Sequence, residues 1–339
     1  MNISFKKLFL IFAVLIPCGG LIFVGAMCAL DWNFGKLSAK HTVENEHMLT
    51  ENFDEIEIVT DDADIELVIT EEGESRAVCR EHSHAKHSVA VENGRLTVRV
   101  QNERKWYHYI LDGTEKSITL YLTRAQYSAL SVKGKAADVT LPEGLTLGRL
   151  DVEVTSADVS LKSRVDQTAQ IAVSTGNITV ESSSLGALSA TATTGDITVD
   201  GVRVAGNLTV SVSTGDTVIK NVECKELVSE GGTGDLHTDA LRAQKLCAKR
   251  TTGTLTLEDT IATEMHLDAS TGDVTLTLCD GDEIYITTTT GNVTGTLLTD
   301  KVFIARANTG RVETPRTITG GRCEITTGTG DIIFTEAQN

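Results

Sequence analysis

The side chains of this chain that could do chemistry cluster at few places. Cys79, Glu81, His82, His84 and His87, in the run CREHSHAKH, offer the thiolate, carboxylate and imidazole donors that a transition metal takes. Strand alternation would set His82 and His84 on one face. No second half-site follows elsewhere, so the run reads as a histidine-rich polar hairpin tip, and neither a metal nor another cofactor is expected. Trp106-Tyr107-His108-Tyr109 puts aromatic side chains on both faces of an extended segment, so at least one must be exposed or meet a partner. Trp106, Tyr107 and Tyr109 are therefore the candidate binding surface, for carbohydrate or a membrane surface, with packing under a long loop as the alternative. Asp196, Asp216 and Asp235 recur at a spacing that could gather oxygen ligands for calcium. The glycine-rich nonapeptide of calcium-binding rolls is absent, and these carboxylates read as turn caps. HExxH, G-x-S-x-G and a Cys/His pair at a usable spacing are all missing, so no enzyme is expected.

The elements that must carry these residues follow from one rhythm. A Thr-Gly pair recurs at Gly176, Gly195, Gly215, Gly234, Gly253, Gly272, Gly291, Gly310 and Gly330, at intervals of 19, 20, 19, 19, 19, 19, 19 and 20 residues. Ala137 and Ala157 hold the same phase upstream, which gives about eleven units from residue 135 to residue 339. Positions seven, five and three before each glycine are apolar or small, as in Leu188, Ala190 and Ala192; so are positions two and four after it, as in Ile178 and Val180. Period-two alternation marks half-buried strands. A weaker apolar position at plus seven (Val202, Val222, Leu241, Cys279, Leu298) adds a third short side. A unit this short cannot bury its inward row alone, but coils stacked at roughly 4.8 Å can. The expected fold is all-β, a single-stack β-solenoid. The glycines turn the corner because they reach positive φ without steric cost, and the threonines align as a ladder along one edge. Arg250 breaks the pattern at a minus-three position and Gly231-Gly232 breaks it one coil earlier, which implies either a local register shift or an arginine that escapes through a thinly packed coil.

Residues 8–30 carry no charge, follow Lys6 and Lys7, and precede Asp31 and Trp32. At 1.5 Å per residue they are long enough to cross about 30 Å of hydrocarbon. The expectation is a cytoplasmic tail over residues 1–7, a transmembrane anchor over 8–30 and an extracytoplasmic remainder, with a signal peptide cleaved near Val24-Gly25-Ala26 as the rival. Pro17 argues against lipidation of Cys18. With the two lysines inside, the exported part is more acidic still than the chain's net −17. Such a surface excludes nucleic acid as a partner and attracts cationic peptides, basic proteins or divalent ions. Of the five cysteines beyond the anchor, Cys224, Cys247, Cys279 and Cys323 stand at different phases of the repeat and five is odd, so they read as small buried hydrophobes rather than disulfides.

Residues 31–52 read as a polar tether and 53–134 as an irregular β cap on repeats 135–339, with Ala63-Asp64 and Gly94 as irregular forms of the later corner. FDEIEIVTDDADIELVI, then NGRLTV, SITLYL and the repeated [ST]TG[DN] corners together resemble the bacterial putative-adhesin family, domain of unknown function 4097, over residues 53–335. The resemblance implies a β-solenoid outside a bacterial membrane and supplies no catalytic residues. Thr254 and Arg311 depart from its Asp/Asn corner. The function expected is an anchored envelope-binding or sensing module, whose partner is an envelope protein, a polysaccharide or a cationic peptide. The alternatives are a passive spacer that presents the cap and, further off, a polysaccharide-acting enzyme. The last coil, ending at Ile332-Ile333-Phe334, has only a short tail beyond it and is expected to leave an open end for docking or end-to-end self-association.

Overall fold

The computed structural model describes residues 5–29, 32, 42–71, 73–104 and 115–336. Helix α1 (Phe5–Ala29) follows the apolar run, with Pro17 inside it. Among the described residues no helix is long and apolar enough to cross a membrane.

The described residues from Thr42 to Glu336 form one set of stacked strands. The repeats form parallel ladders in which like positions pair: Ile178 with Ile197, Ile197 with Thr217, and Ala190 with Val210. The third side is present as well, where Ser184 pairs with Arg203 and Val222 with Leu241. The inward rows are buried, from Leu188, Ala190 and Ala192 to Leu255, Leu257 and Ile286, except in the coil of Phe303, Ala305 and Ala307, where they are only partly so. Of the plus-seven residues, Val202, Val222, Leu241 and Cys279 are buried and Leu298 is exposed. Cys79, Cys224, Cys279 and Cys323 are buried free thiols, as expected, while Cys247 is half-exposed.

Each corner glycine has two reasons to be glycine. Gly272 sits at φ +148°, a conformation that side chains rarely adopt, and a Cβ there would lie 1.9 Å from the carbonyl oxygen of Gly253 in the coil below. The nine glycines thus stack backbone on backbone. A second left-handed corner, six residues after the first, was not visible in the sequence: Ser182, Asn221, Ala240, Asp259 and Leu278 all have positive φ, as does Gly201. Its occupants share little beyond small size or polarity, and Leu278 lacks both.

Register is kept at Arg250, which pairs with Gly231 on one side and Ala269 on the other. The arginine neither shifts the strand nor escapes. Its side chain is 1% exposed and fills the space that Gly231 leaves, where a Cβ would come within 2.6 Å of its Cδ. Nη1 donates to the Lys249 carbonyl at 2.9 Å and Nη2 to Ser229 Oγ at 3.1 Å. Burial lowers its pKa to about 10 against the pull of Asp216 and Asp235, so it keeps its charge at neutral pH.

The coils do not stack in sequence order at either end. The carboxyl-terminal strands Gly321–Thr329 and Ile332–Glu336 insert between the coil of Gly291 and the coil of Gly310. The end of the stack is therefore the coil of strand Lys301–Thr309, and Ile332 and Phe334 are buried. This corrects the expectation that the last coil in sequence is the open one. Size explains the order: Gly295 stands where other coils carry Val, Ile, Thr or Leu, and a Cβ on it would lie 2.8 Å from the Phe334 ring. The large ring occupies the gap that the glycine leaves.

At the other end the cap uses nine strands: β1 (Thr42–Met48), β2 (Glu55–Val59), β3 (Asp64–Ile69), β4 (Arg76–His82), β5 (Ala85–Glu92), β6 (Arg95–Asn102), β7 (Ser117–Leu122), β8 (Gln126–Gly134) and β9 (Val139–Leu141). The β2–β3 coil lies between the later β6–β7 coil and the β8–β9 coil. Antiparallel strands close the stack, β5 on β6, β4 on β7 and β1 on β4. Gly94 is not a repeat corner: with Asn93 at φ 51° and Gly94 at φ 79° it makes the tight β5–β6 hairpin turn, for which Asn-Gly is the favoured pair.

Candidate functional site

Along the glycine corner each Asx side chain accepts a hydrogen bond from the backbone N–H at the same position of the next coil. Asp138 takes Asp158 N, Asp158 takes Asn177 N, Asn177 takes Asp196 N, Asp196 takes Asp216 N, and Asp216 takes Asp235 N, all at 2.7–2.9 Å. Asp64 begins the series with Asp138 N at 3.1 Å, which makes Ala63-Asp64 a true corner. Thr254 interrupts the row: its N–H donates to Asp235, but it has no carboxylate to pass on. The row then runs in spatial order, Asp273 to Asn292, Asn292 to Asp331, Asp331 to Arg311. Arg311 is the final rung. No described coil follows it, and its N–H and guanidinium instead hold the Asp331 carboxyl below the usual range. Asp196, Asp216 and Asp235 act here as turn caps.

The exposed end of the stack has its own character. Strand Lys301–Thr309 pairs among the described residues only with Gly321–Thr329. Val302 and Ile304 are exposed, while Phe303, Ala305 and Ala307 are only partly buried. Phe303 rests against Phe334 at 5.5 Å between ring centroids. Lys301 is held inward by Asp280 at 2.6 Å.

The CREHSHAKH run is not a polar hairpin tip. Of its candidate ligands His84 alone is exposed, whereas Cys79, Glu81, His82 and His87 are buried. The reason is topological: β4 extends one sheet and β5 the other, so the hairpin between them crosses the end of the solenoid and turns its alternate residues inward. Glu81 Oε2 accepts from His87 N at 2.5 Å and lies 2.8 Å from His87 Nδ1. Asn45 Nδ2 donates to Glu81 Oε1 at 2.6 Å, and Thr60 Oγ1 lies 3.1 Å from His87 Nε2. Cys79 Sγ stands beside them, with one donor atom from each of Cys79, Glu81 and His87 within 4.8 Å of the others. Burial, then the charge of Glu81, push the Cys79 thiol up to about 12, which makes it an inert thiol rather than a nucleophile. His82 and His84 meet each other instead, through His84 N donating to His82 Nδ1 at 3.1 Å. Nearby, Asp62 would be raised by burial alone, but hydrogen bonds from Arg104 and Lys116 outweigh that and keep it low. Trp106, Tyr107 and Tyr109 lie outside the described residues.

The sequence matches the Toastrack DUF4097 family model twice, over residues 53–211 and 203–332. No curated protein matches it. Similar solved structures include a putative adhesin from Bacteroides fragilis (15% identity, 88% of this chain and 99% of that one, TM-score 0.33). A putative lipid binding protein from Parabacteroides distasonis shares 12% identity over 88% of this chain and 98% of its own, with a TM-score of 0.35. A putative cell adhesion protein from Clostridium sporogenes shares 6% over 87% and 100%, with a TM-score of 0.23.

Proposed function

The chain belongs to the Toastrack DUF4097 family, and on that premise we propose that it is a membrane-anchored, extracytoplasmic binding module, not an enzyme, that holds its partner at the free end of the solenoid. The observation that carries this reading is the one-sided pairing of strand Lys301–Thr309. A strand paired on one edge offers a row of N–H and C=O groups to another extended segment. Its exposed side chains include the apolar Val302 and Ile304. Its charge runs against that of the molecule: residues 301–317 hold four basic residues and one acidic in a chain of net −17, and with Lys301 turned inward onto Asp280 and Arg311 paired with Asp331, Arg306 and Arg316 are the cations this end presents. An acidic, extended segment of an envelope protein fits this end; a cationic peptide does not. A second copy meeting it through the same strand would set Arg306 near its own equivalent, which disfavours end-to-end self-association. About eleven coils at roughly 4.8 Å each would hold this end about 50 Å from the cap. The uncharged run of residues 8–30 behind Lys6 and Lys7 supports the anchor.

Photo-cross-linking in intact cells tests this. A cross-linking residue at Ile304 is expected to give a discrete adduct with another envelope protein, reduced roughly tenfold by Arg306→Glu, a loss of about 1.4 kcal/mol. The same probe at Thr198, on the flank of the stack, should give none. Equal adducts at both positions, or an adduct indifferent to Arg306→Glu, would contradict the reading. An adduct of twice the chain's own mass would assign the end to self-association.

A further inference from the structure

We propose that Cys79, Glu81 and His87 form a transition-metal site, of the class that takes Zn²⁺, inside the amino-terminal cap. Three donor types that such ions prefer, a sulfur, a carboxylate oxygen and an imidazole nitrogen, converge within 4.8 Å in a buried space. Their far atoms are tied while their near atoms converge. Asn45 holds Glu81 through Oε1, and Thr60 holds His87 through Nε2, which leaves Oε2 and Nδ1 facing one another at 2.8 Å. Outer partners that fix ligand orientation in this way are the usual second layer of a metal site. A divalent ion bound by thiolate, carboxylate and neutral imidazole leaves no net charge in the interior, whereas the same residues without an ion leave a fully buried carboxylate whose ion-pair partner is an imidazole. Binding would expel the Cys79 proton and any proton between His87 and Glu81, so atoms and charge balance.

The site would join four pieces of chain. Asn45 comes from β1, Cys79 and Glu81 from β4, His87 from β5, and Thr60 follows β2. An ion there would pin together the antiparallel strands that close the solenoid, a closing role rather than a catalytic one.

The test uses the full chain in detergent, stripped with chelator, then titrated with Co²⁺ and separately with Zn²⁺. One Co²⁺ per chain is expected, with a thiolate-to-cobalt charge-transfer band that Cys79→Ser abolishes and Cys247→Ser keeps. Thr60→Val, which leaves all three ligands in place, should weaken Co²⁺ binding by about 10–100-fold. Zn²⁺ should raise the melting temperature of the wild type and not of Cys79→Ser. The wild-type spectrum decides even if Cys79→Ser fails to fold: absence of the thiolate band overturns the proposal. So does a band that disappears in Cys247→Ser and survives in Cys79→Ser, or a Zn²⁺ shift equal in wild type and Cys79→Ser.

Discussion

Gly272→Val is expected to destabilise the protein by about 2–5 kcal/mol, while Gly94→Ala costs only about 1–2. Both glycines have positive φ, and left-handed backbone costs an ordinary residue about 1–2 kcal/mol. They differ in what lies above the missing Cβ. Nothing lies within 4 Å of it at Gly94, whereas at Gly272 the Gly253 carbonyl oxygen is 1.9 Å away. That neighbour is backbone fixed in a ladder, so it must move, and moving a packed element adds about 1–3 kcal/mol. Denaturant unfolding of the full chain in detergent measures both. Equal losses at the two sites would mean that the corner glycines serve φ alone and that the coils do not stack on them.

The second large effect is expected at Gly231. Valine there drives carbon into Arg250, whose Cδ and Nε lie 2.6 Å from the position of the new Cβ. The arginine is 1% exposed and already fills this space, so Gly231→Val alone should lose about 3 kcal/mol, the upper end of what overpacking usually costs. Combined with Arg250→Ala it should recover most of that loss, because the column between Val212 and Ala269 then carries only small apolar side chains, like its neighbours. A coupling of about 2 kcal/mol or more in a double-mutant cycle is the expected result. Additive losses would show that Arg250 does not occupy the space at Gly231.

Much of this was legible in the residues. The Thr-Gly interval gave the coil, the alternation gave the buried rows, and Asp or Asn after glycine gave the cap of each turn. What the sequence hid was order and partnership across coils. Period-two alternation says which face of a strand is buried but not which neighbour lies beside it. Two local signals of order were nonetheless present: Gly295 small where Phe334 is large, and Arg311 at the final rung where every interior rung but Thr254 has Asp or Asn. Arg250 was legible as an exception and not in its solution, because the hole that accepts it belongs to another coil. The cap cluster was missed for a related reason. Cys79, Glu81 and His87 look like a polar tip until the β4–β5 hairpin is seen to cross the end of the stack.

The central claim is that the free end of the solenoid is the coil of residues 301–313, with the carboxyl-terminal coil inserted beneath it. Paired cysteine substitutions test it, because a disulfide needs Cα atoms about 4.4–6.8 Å apart, which adjacent coils satisfy and next-nearest coils do not. Thr290 is in register with Thr329, and Thr329 with Thr309. On mild oxidation, Thr290→Cys with Thr329→Cys should cross-link within the chain, and Thr290→Cys with Thr309→Cys should not. Cross-linking of the second pair without the first would restore sequence order to the stack, bury strand Lys301–Thr309 and contradict the account.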